Sequence, residues 1–135
     1  MAVPTELVRE LIVASPYARL LGASLEHIEA DFVRVRLPFR AEIVTVGDMV
    51  HGGAISGLVD IAATAAAWSG ASPSGTPRGT TVGFSVNFLA AARAQDLVAG
   101  ARVIRRGKTL SVIDVEVKDV AGEAVARALV TYKLG

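Results

Sequence analysis

HGGAISGLVDIAATAAAWS, residues 51–69, decides how the rest of the chain must be arranged. From Ala54 to Ser69 its only charge is Asp60, no proline interrupts it, and alanine and larger aliphatics fill most positions. That composition predicts one long helix over 54–69. The helix is apolar nearly all round, so it must be buried nearly all round. A single sheet face covers one side only. The remainder requires a sheet that curls around the helix, a partner subunit, or both. The polar exceptions, Ser56, Asp60 and Thr64, are spaced by four and form one stripe, with Gly57 and Ala63 leaving room beside it. A carboxylate in that setting is costly unless it is paired or used. Asp60 is therefore either a structural acceptor for neighbouring hydroxyl and amide groups or a chemical group.

Before this helix, Pro4 and Thr5 open a short helical pattern in which Leu7, Val8, Leu11 and Ile12 share a face, and Ser15-Pro16 ends it. Residues 17–21 make one further turn closed by Gly22, completing a helical lead-in over 1–22. The period then changes to two. Over 24–37, Val33, Val35 and Leu37 alternate with Phe32, Arg34 and Arg36, which is strand or hairpin chemistry. Residues 38–50 are irregular, with Gly47-Asp48 as a turn. After the helix, 70–79 is a loop, and four strand patterns follow. Val82, Phe84, Val86 and Phe88 alternate with Thr81, Gly83, Ser85 and Asn87. Leu97–Arg106 comes next and reverses at Arg106-Gly107-Lys108. Ile113, Val115 and Val117 alternate with Asp114, Glu116 and Lys118, residues 120–123 turn, and Ala124–Leu134 closes the chain. Reversals this short make the sheet antiparallel. The result is a single α+β domain over residues 1–135, with the long helix against one sheet face.

Composition narrows the function. With 135 residues, 52% of them apolar and 20% charged, the chain can fill one core and is not of disordered type. Fourteen basic against 13 acidic side chains give +1, far from the basic excess of a nucleic-acid binder. The absence of cysteine excludes disulfides, a thiol nucleophile and Cys-rich zinc sites. Two histidines without a paired acid cluster make no metal site. Residues 54–68, with Asp60 inside, fall short of the about 20 apolar residues that cross a bilayer. Glu6, Arg9 and Glu10 stand where a signal peptide would be apolar. These features predict a soluble, cytoplasmic chain with no membrane, nucleic-acid or metal partner.

Gly52 and Gly53 stand at the helix start, where N–H groups lack intrahelical partners and carry the positive end of the dipole. Glycine lets an oxygen approach the backbone there, so the place suits a phosphate or a carbonyl to be polarised. A plain turn and cap is the alternative. Gly52 and Asp60 are eight residues apart, about 12 Å along a helix axis. One reacting carbon cannot touch both on the same helix. If a substrate meets both, the carboxylate comes from a second, antiparallel helix, as a two-fold dimer supplies.

His51-Gly52-Gly53, six intervening residues and then Asp60 resemble the signature of the PaaI-like branch of the hotdog-fold thioesterases. TVGFSVNFL, residues 81–89, is similar to that family's long strand after the helix, and RGKTL, residues 106–110, to its next hairpin. The likeness runs from about Leu20 to the C-terminus. It implies a hotdog fold, a curled antiparallel sheet wrapped around one long helix, assembled as a homodimer and commonly as a dimer of dimers. It also implies hydrolysis of acyl-CoA or aryl-CoA thioesters without metal or cofactor, coenzyme A being part of the substrate. In that family the backbone N–H of the second HGG residue or its neighbour, here Gly52 or Gly53, polarises the thioester carbonyl. The carboxylate nine residues after the His, here Asp60, activates water or attacks directly from the opposite subunit. Thr81 matches a hydroxyl that orients the water. Relatives often carry Asn or Gln six residues before the His, where this chain has Thr45, and Gly three before it, where this chain has Asp48 with Gly47 one place earlier.

In such a site His51 positions the helix start by a ring hydrogen bond instead of acting as the base. Ser56 and Thr64, beside Asp60 on the stripe, and Thr45 are the candidate substrate contacts. Arg105, Arg106 and Lys108 form a basic hairpin that could meet the phosphates of coenzyme A; a solvated turn is the plainer account. Trp68 and Phe84 read as core, with lining of an acyl pocket as the alternative, and His27 as a half-exposed strand residue. Two other functions fit the same scaffold. A hotdog dehydratase wants a catalytic His. A non-catalytic acyl-CoA binder or sensor is favoured by the absent amide at 45 and opposed by the retained Asp60 and Thr81.

Overall fold

The computed structural model of the chain describes residues 3–72 and 78–135. Six strands form one antiparallel sheet: β1 (Ser24–Glu29), β2 (Phe32–Leu37), β3 (Gly79–Phe88), β4 (Leu97–Arg106), β5 (Leu110–Asp119) and β6 (Ala124–Leu134). Their spatial order is β1-β2-β4-β5-β6-β3. The sheet curls around the long helix, Gly52–Ser69, which touches all six strands. Two short helices precede it, α1 (Thr5–Leu7) and α2 (Pro16–Leu21), so the long helix is α3. This is the α+β hotdog architecture. The inner face of the sheet is the apolar half of each alternation. Val33, Val35 and Leu37 of β2 and Ile113, Val115 and Val117 of β5 are buried in one core with Leu58, Val59 and Ala62 of α3. Each such side chain contributes about 1.5–3 kcal/mol of burial free energy.

The long helix begins two residues earlier than its composition predicts. His51 is extended, at φ −63° and ψ 134°, and caps it, so Gly52 and Gly53 form the first turn. The other departures are changes of phase. In the lead-in, α1 widens into a π-type turn over Val8–Val13, with Ala14 N–H donating to the Arg9 carbonyl at 2.9 Å. The expected face is buried except at Leu11: Val8 lies in the core and Leu7 and Ile12 pack against it, while the wider turn adds Val13 and leaves Leu11 61% exposed. This turn and α2 pack on α3. Part of the cover over the helix therefore comes from the chain's own N-terminal segment, and not from the sheet or a partner alone.

Two β-bulges do the rest. On β3, Thr81 lies opposite Tyr132 of β6 and Gly83 opposite Thr131, which leaves Val82 as the extra residue. A bulge reverses the alternation beyond it. Thr81 consequently shares the inner face with Phe84, Val86 and Phe88 instead of opposing them. Because β3 is the sheet edge, Phe84 and Phe88 remain 41% and 51% exposed. The core assignment of Phe84 does not hold; that of Trp68, which is buried, does. On β4, Val103 faces Ile113 and Arg105 faces Val112, so Ile104 is the extra residue and Arg106 turns inward opposite buried Ser111. Of the loop expected over 70–79, residues 73–77 lie outside the described residues, and Gly79 already opens β3. Among the described residues, no helix is long and apolar enough to cross a membrane.

Candidate active site

The first turn of α3 leaves one donor free. His51 Nδ1 accepts the Gly53 N–H at 2.7 Å, and the His51 carbonyl accepts from Ala54 and Ile55. With Nδ1 so occupied, a neutral ring carries its proton on Nε2 and serves to position the turn. The Gly53 N–H is thereby committed. The Gly52 N–H donates to no acceptor among the described residues, and Gly52 lines a cavity of about 390 Å³ with Thr45, Met49, Ile55 and Phe88. A Cβ at residue 52 would stand 3.3 Å from the Phe88 ring, so glycine keeps this approach open. Thr45 reaches the same cavity on a tight loop. Its N–H donates to the Met49 carbonyl at 2.8 Å, and Gly47, at φ 61°, supplies the left-handed residue. Asp48 is paired with Arg93 at 3.0 Å.

The carboxylate half lies further along the same helix. Asp60 is half-buried, and its Oδ1 accepts from the Thr81 hydroxyl at 2.6 Å within one chain. Thr81 thus donates its hydroxyl hydrogen bond to the carboxylate expected to activate water, and the bulge at Val82 is what turns it there. Oδ2 accepts nothing from the described residues. Tyr132, directly across from Thr81, is buried and accepts the Trp68 indole N–H at 3.0 Å. Burial pushes the Tyr132 hydroxyl above the ordinary tyrosine range, the Trp68 hydrogen bond opposes this, and the charge of Asp60 adds to it. Tyr132 therefore stays neutral while it accepts from Trp68.

Ser56, Asp60 and Thr64 are the half-buried stripe of a helix whose other faces are covered. The room expected beside Gly57 is occupied by the lead-in: a Cβ there would stand 2.6 Å from the Tyr17 hydroxyl. Asp60 does not line the cavity at Gly52. One chain therefore carries a free N–H and a supported carboxylate at two separate places.

The three basic side chains of the hairpin differ in their surroundings. Turned inward by the bulge at Ile104, the Arg106 guanidinium donates to Asp31 Oδ1 at 2.7 and 3.1 Å and to the Ala67 carbonyl at 3.0 Å. It ties the C-terminal end of α3 to the β1–β2 turn, where cations are favoured. Arg105 and Lys108 are exposed. Phe88 and Tyr132 escaped the sequence reading of the site, because each takes its place through strand register; Arg106, expected at the phosphates, is turned by the bulge at Ile104 to Asp31 and Ala67. Among the described residues no group of three or more His, Asp or Glu side chains could hold a metal.

A model of the thioesterase superfamily matches residues 47–126, more than half of the chain. A protein of Halobacterium salinarum with the provisional name of an esterase is 32% identical over 109 residues, which is 78% of this chain and 72% of that one. Among solved structures, a thioesterase family protein from Silicibacter pomeroyi is 26% identical, with a TM-score of 0.87 over 96% of each chain. The E. coli PaaI protein of the phenylacetic acid degradation operon is 21% identical, with a TM-score of 0.80 over 95% of this chain and 94% of that one. A hypothetical thioesterase protein from Streptococcus pneumoniae, solved with coenzyme A, is 22% identical, with a TM-score of 0.75 over 84% and 86%. The last two likenesses concern the fold alone.

Proposed function

The chain belongs to the thioesterase superfamily, and from that premise we propose that it hydrolyses acyl- or aryl-coenzyme A thioesters to the free acid and coenzyme A. The coenzyme A bound by the Streptococcus pneumoniae protein favours that leaving group. The observation that carries the mechanism is the single free N–H at Gly52, eight residues before a carboxylate held by Thr81. The thioester carbonyl oxygen accepts the Gly52 N–H at the positive end of α3. Asp60 of the partner subunit takes a proton from water, and the hydroxide adds to the carbonyl carbon. Negative charge then develops on the oxygen where the N–H and the helix dipole already point. Collapse breaks the C–S bond, and the departing thiolate takes the proton from Asp60. The step uses water and no cofactor.

A dimer in which two α3 helices run antiparallel brings the halves together. Its support in this chain is β3, a ten-residue edge strand that leaves Val82, Phe84 and Phe88 exposed. An apolar edge of that length calls for a cover. The engaged Nδ1 of His51 weighs against a dehydratase built on a catalytic His. Thiol release measured over short, long and aromatic acyl-CoAs tests the reading. Wild type should turn over, and Asp60→Asn should lose at least about 100-fold while remaining folded. Near-wild-type rates in Asp60→Asn would move the chemistry elsewhere, and binding without turnover would make the protein a sensor.

A further inference from the structure

The open stripe of α3 continues past Asp60. One turn on, Thr64 and then Trp68 border a second, partly open cavity of about 230 Å³, lined also by Leu7, Leu11 and Ile12 of the lead-in and by Gly79 and Tyr132. Three observations join it to the carboxylate. Thr64 follows Asp60 by four residues on one helix face. Tyr132 lies across from Thr81, which holds Asp60, and the charge of Asp60 is felt at its hydroxyl. Gly79 leaves the hydroxyl uncrowded, since a Cβ there would stand 2.6 Å from it. The cavity thus begins about 6 Å along the helix from Asp60.

Its walls are three aliphatic side chains and an indole, with hydroxyls only at Thr64 and Tyr132. A cavity of about 150 Å³ takes benzene, so 230 Å³ holds a single ring or a chain of roughly six to eight carbons and not a long fatty chain. Leu11 lies at its rim, lifted off the core by the π-type turn and 61% exposed.

We propose that this cavity is the acyl pocket, that it takes a monocyclic aryl or medium-chain acyl group, and that Leu11 sets its length limit. The assignment rests on the thioesterase reading above. Leu11 is outside the core, so substitution there spares the fold. The test measures kcat/KM for acetyl-, benzoyl-, octanoyl- and palmitoyl-CoA in wild type, Leu11→Trp and Leu11→Ala. Wild type should prefer the benzoyl and octanoyl substrates. Leu11→Trp should lower the octanoyl-to-acetyl ratio by at least about tenfold, the scale on which pockets discriminate chain length, and Leu11→Ala should shift the optimum to longer chains. An unchanged ratio in both variants overturns the assignment. Dissociation constants for the inert thioethers S-octyl- and S-methyl-CoA separate the two claims. A Trp-induced loss of octyl preference without any turnover would uphold the pocket and sink the hydrolysis. Turnover with unaltered preference would sink the pocket alone.

Discussion

Thr81 is the side chain on which the proposed base depends. Its 2.6 Å hydrogen bond fixes one oxygen of Asp60 and leaves the other for water. Thr81→Val keeps the branched shape and removes the donor, so it should lower kcat about 10- to 100-fold, the equivalent of about 1–3 kcal/mol, with little change in KM or unfolding midpoint. A wild-type kcat would remove Thr81 from the mechanism. Tyr132 carries a pH signature. Its folded-state pKa is raised, first by burial, so its contribution to stability is complete below the ordinary tyrosine value of about 10 and is lost as pH rises through the folded value. Urea midpoints should therefore fall above about pH 10, and Tyr132→Phe should flatten that fall; an equal fall in both proteins would contradict it. Asp60 and His51 are legible from sequence, since a lone charge in an apolar helix and a His before two glycines are local features. Tyr132 is not, because its place opposite Thr81 depends on a bulge that no residue type announces.

At the level of elements, α3 is held at both ends by side chains from elsewhere in the chain. His51 closes its start, and at its end Ser69 accepts the Asp31 N–H at 2.9 Å while Arg106 bridges Asp31 and Ala67. Removing that bridge by Arg106→Ala should cost about 1–2 kcal/mol, a charged hydrogen bond discounted for its partly exposed partners. The check is the urea midpoint alongside KM. Unchanged stability with a tenfold higher KM would return Arg106 to the phosphates of coenzyme A. The strands and their order after α3 are readable as alternation, and β2 and β5 bury the residues their patterns mark. Alternation fails on β3 and at the end of β4 because a single extra residue, at Val82 or at Ile104, reverses the faces beyond it without changing composition, and the π-type turn displaces Leu11 alone from the face expected of the lead-in.

For the whole molecule, the proposed mechanism makes a second copy part of the chemistry, because Gly52 and Asp60 stand apart on one chain. Sedimentation at micromolar concentration should give a dimer or a multiple of it, and a monodisperse monomer would refute the shared site. The most direct measurement mixes two inactive chains. Asp60→Asn keeps the Gly52 N–H. Gly52→Pro removes that N–H at the first helical position, where proline is tolerated and where the extended His51 suits a following proline. If each site joins Asp60 of one chain to Gly52 of the other, a mixed dimer holds one intact site, and a co-refolded equimolar mixture should recover about a quarter of wild-type thioester hydrolysis. Recovery no greater than the sum of the two inactive parents would show that both groups act from the same chain.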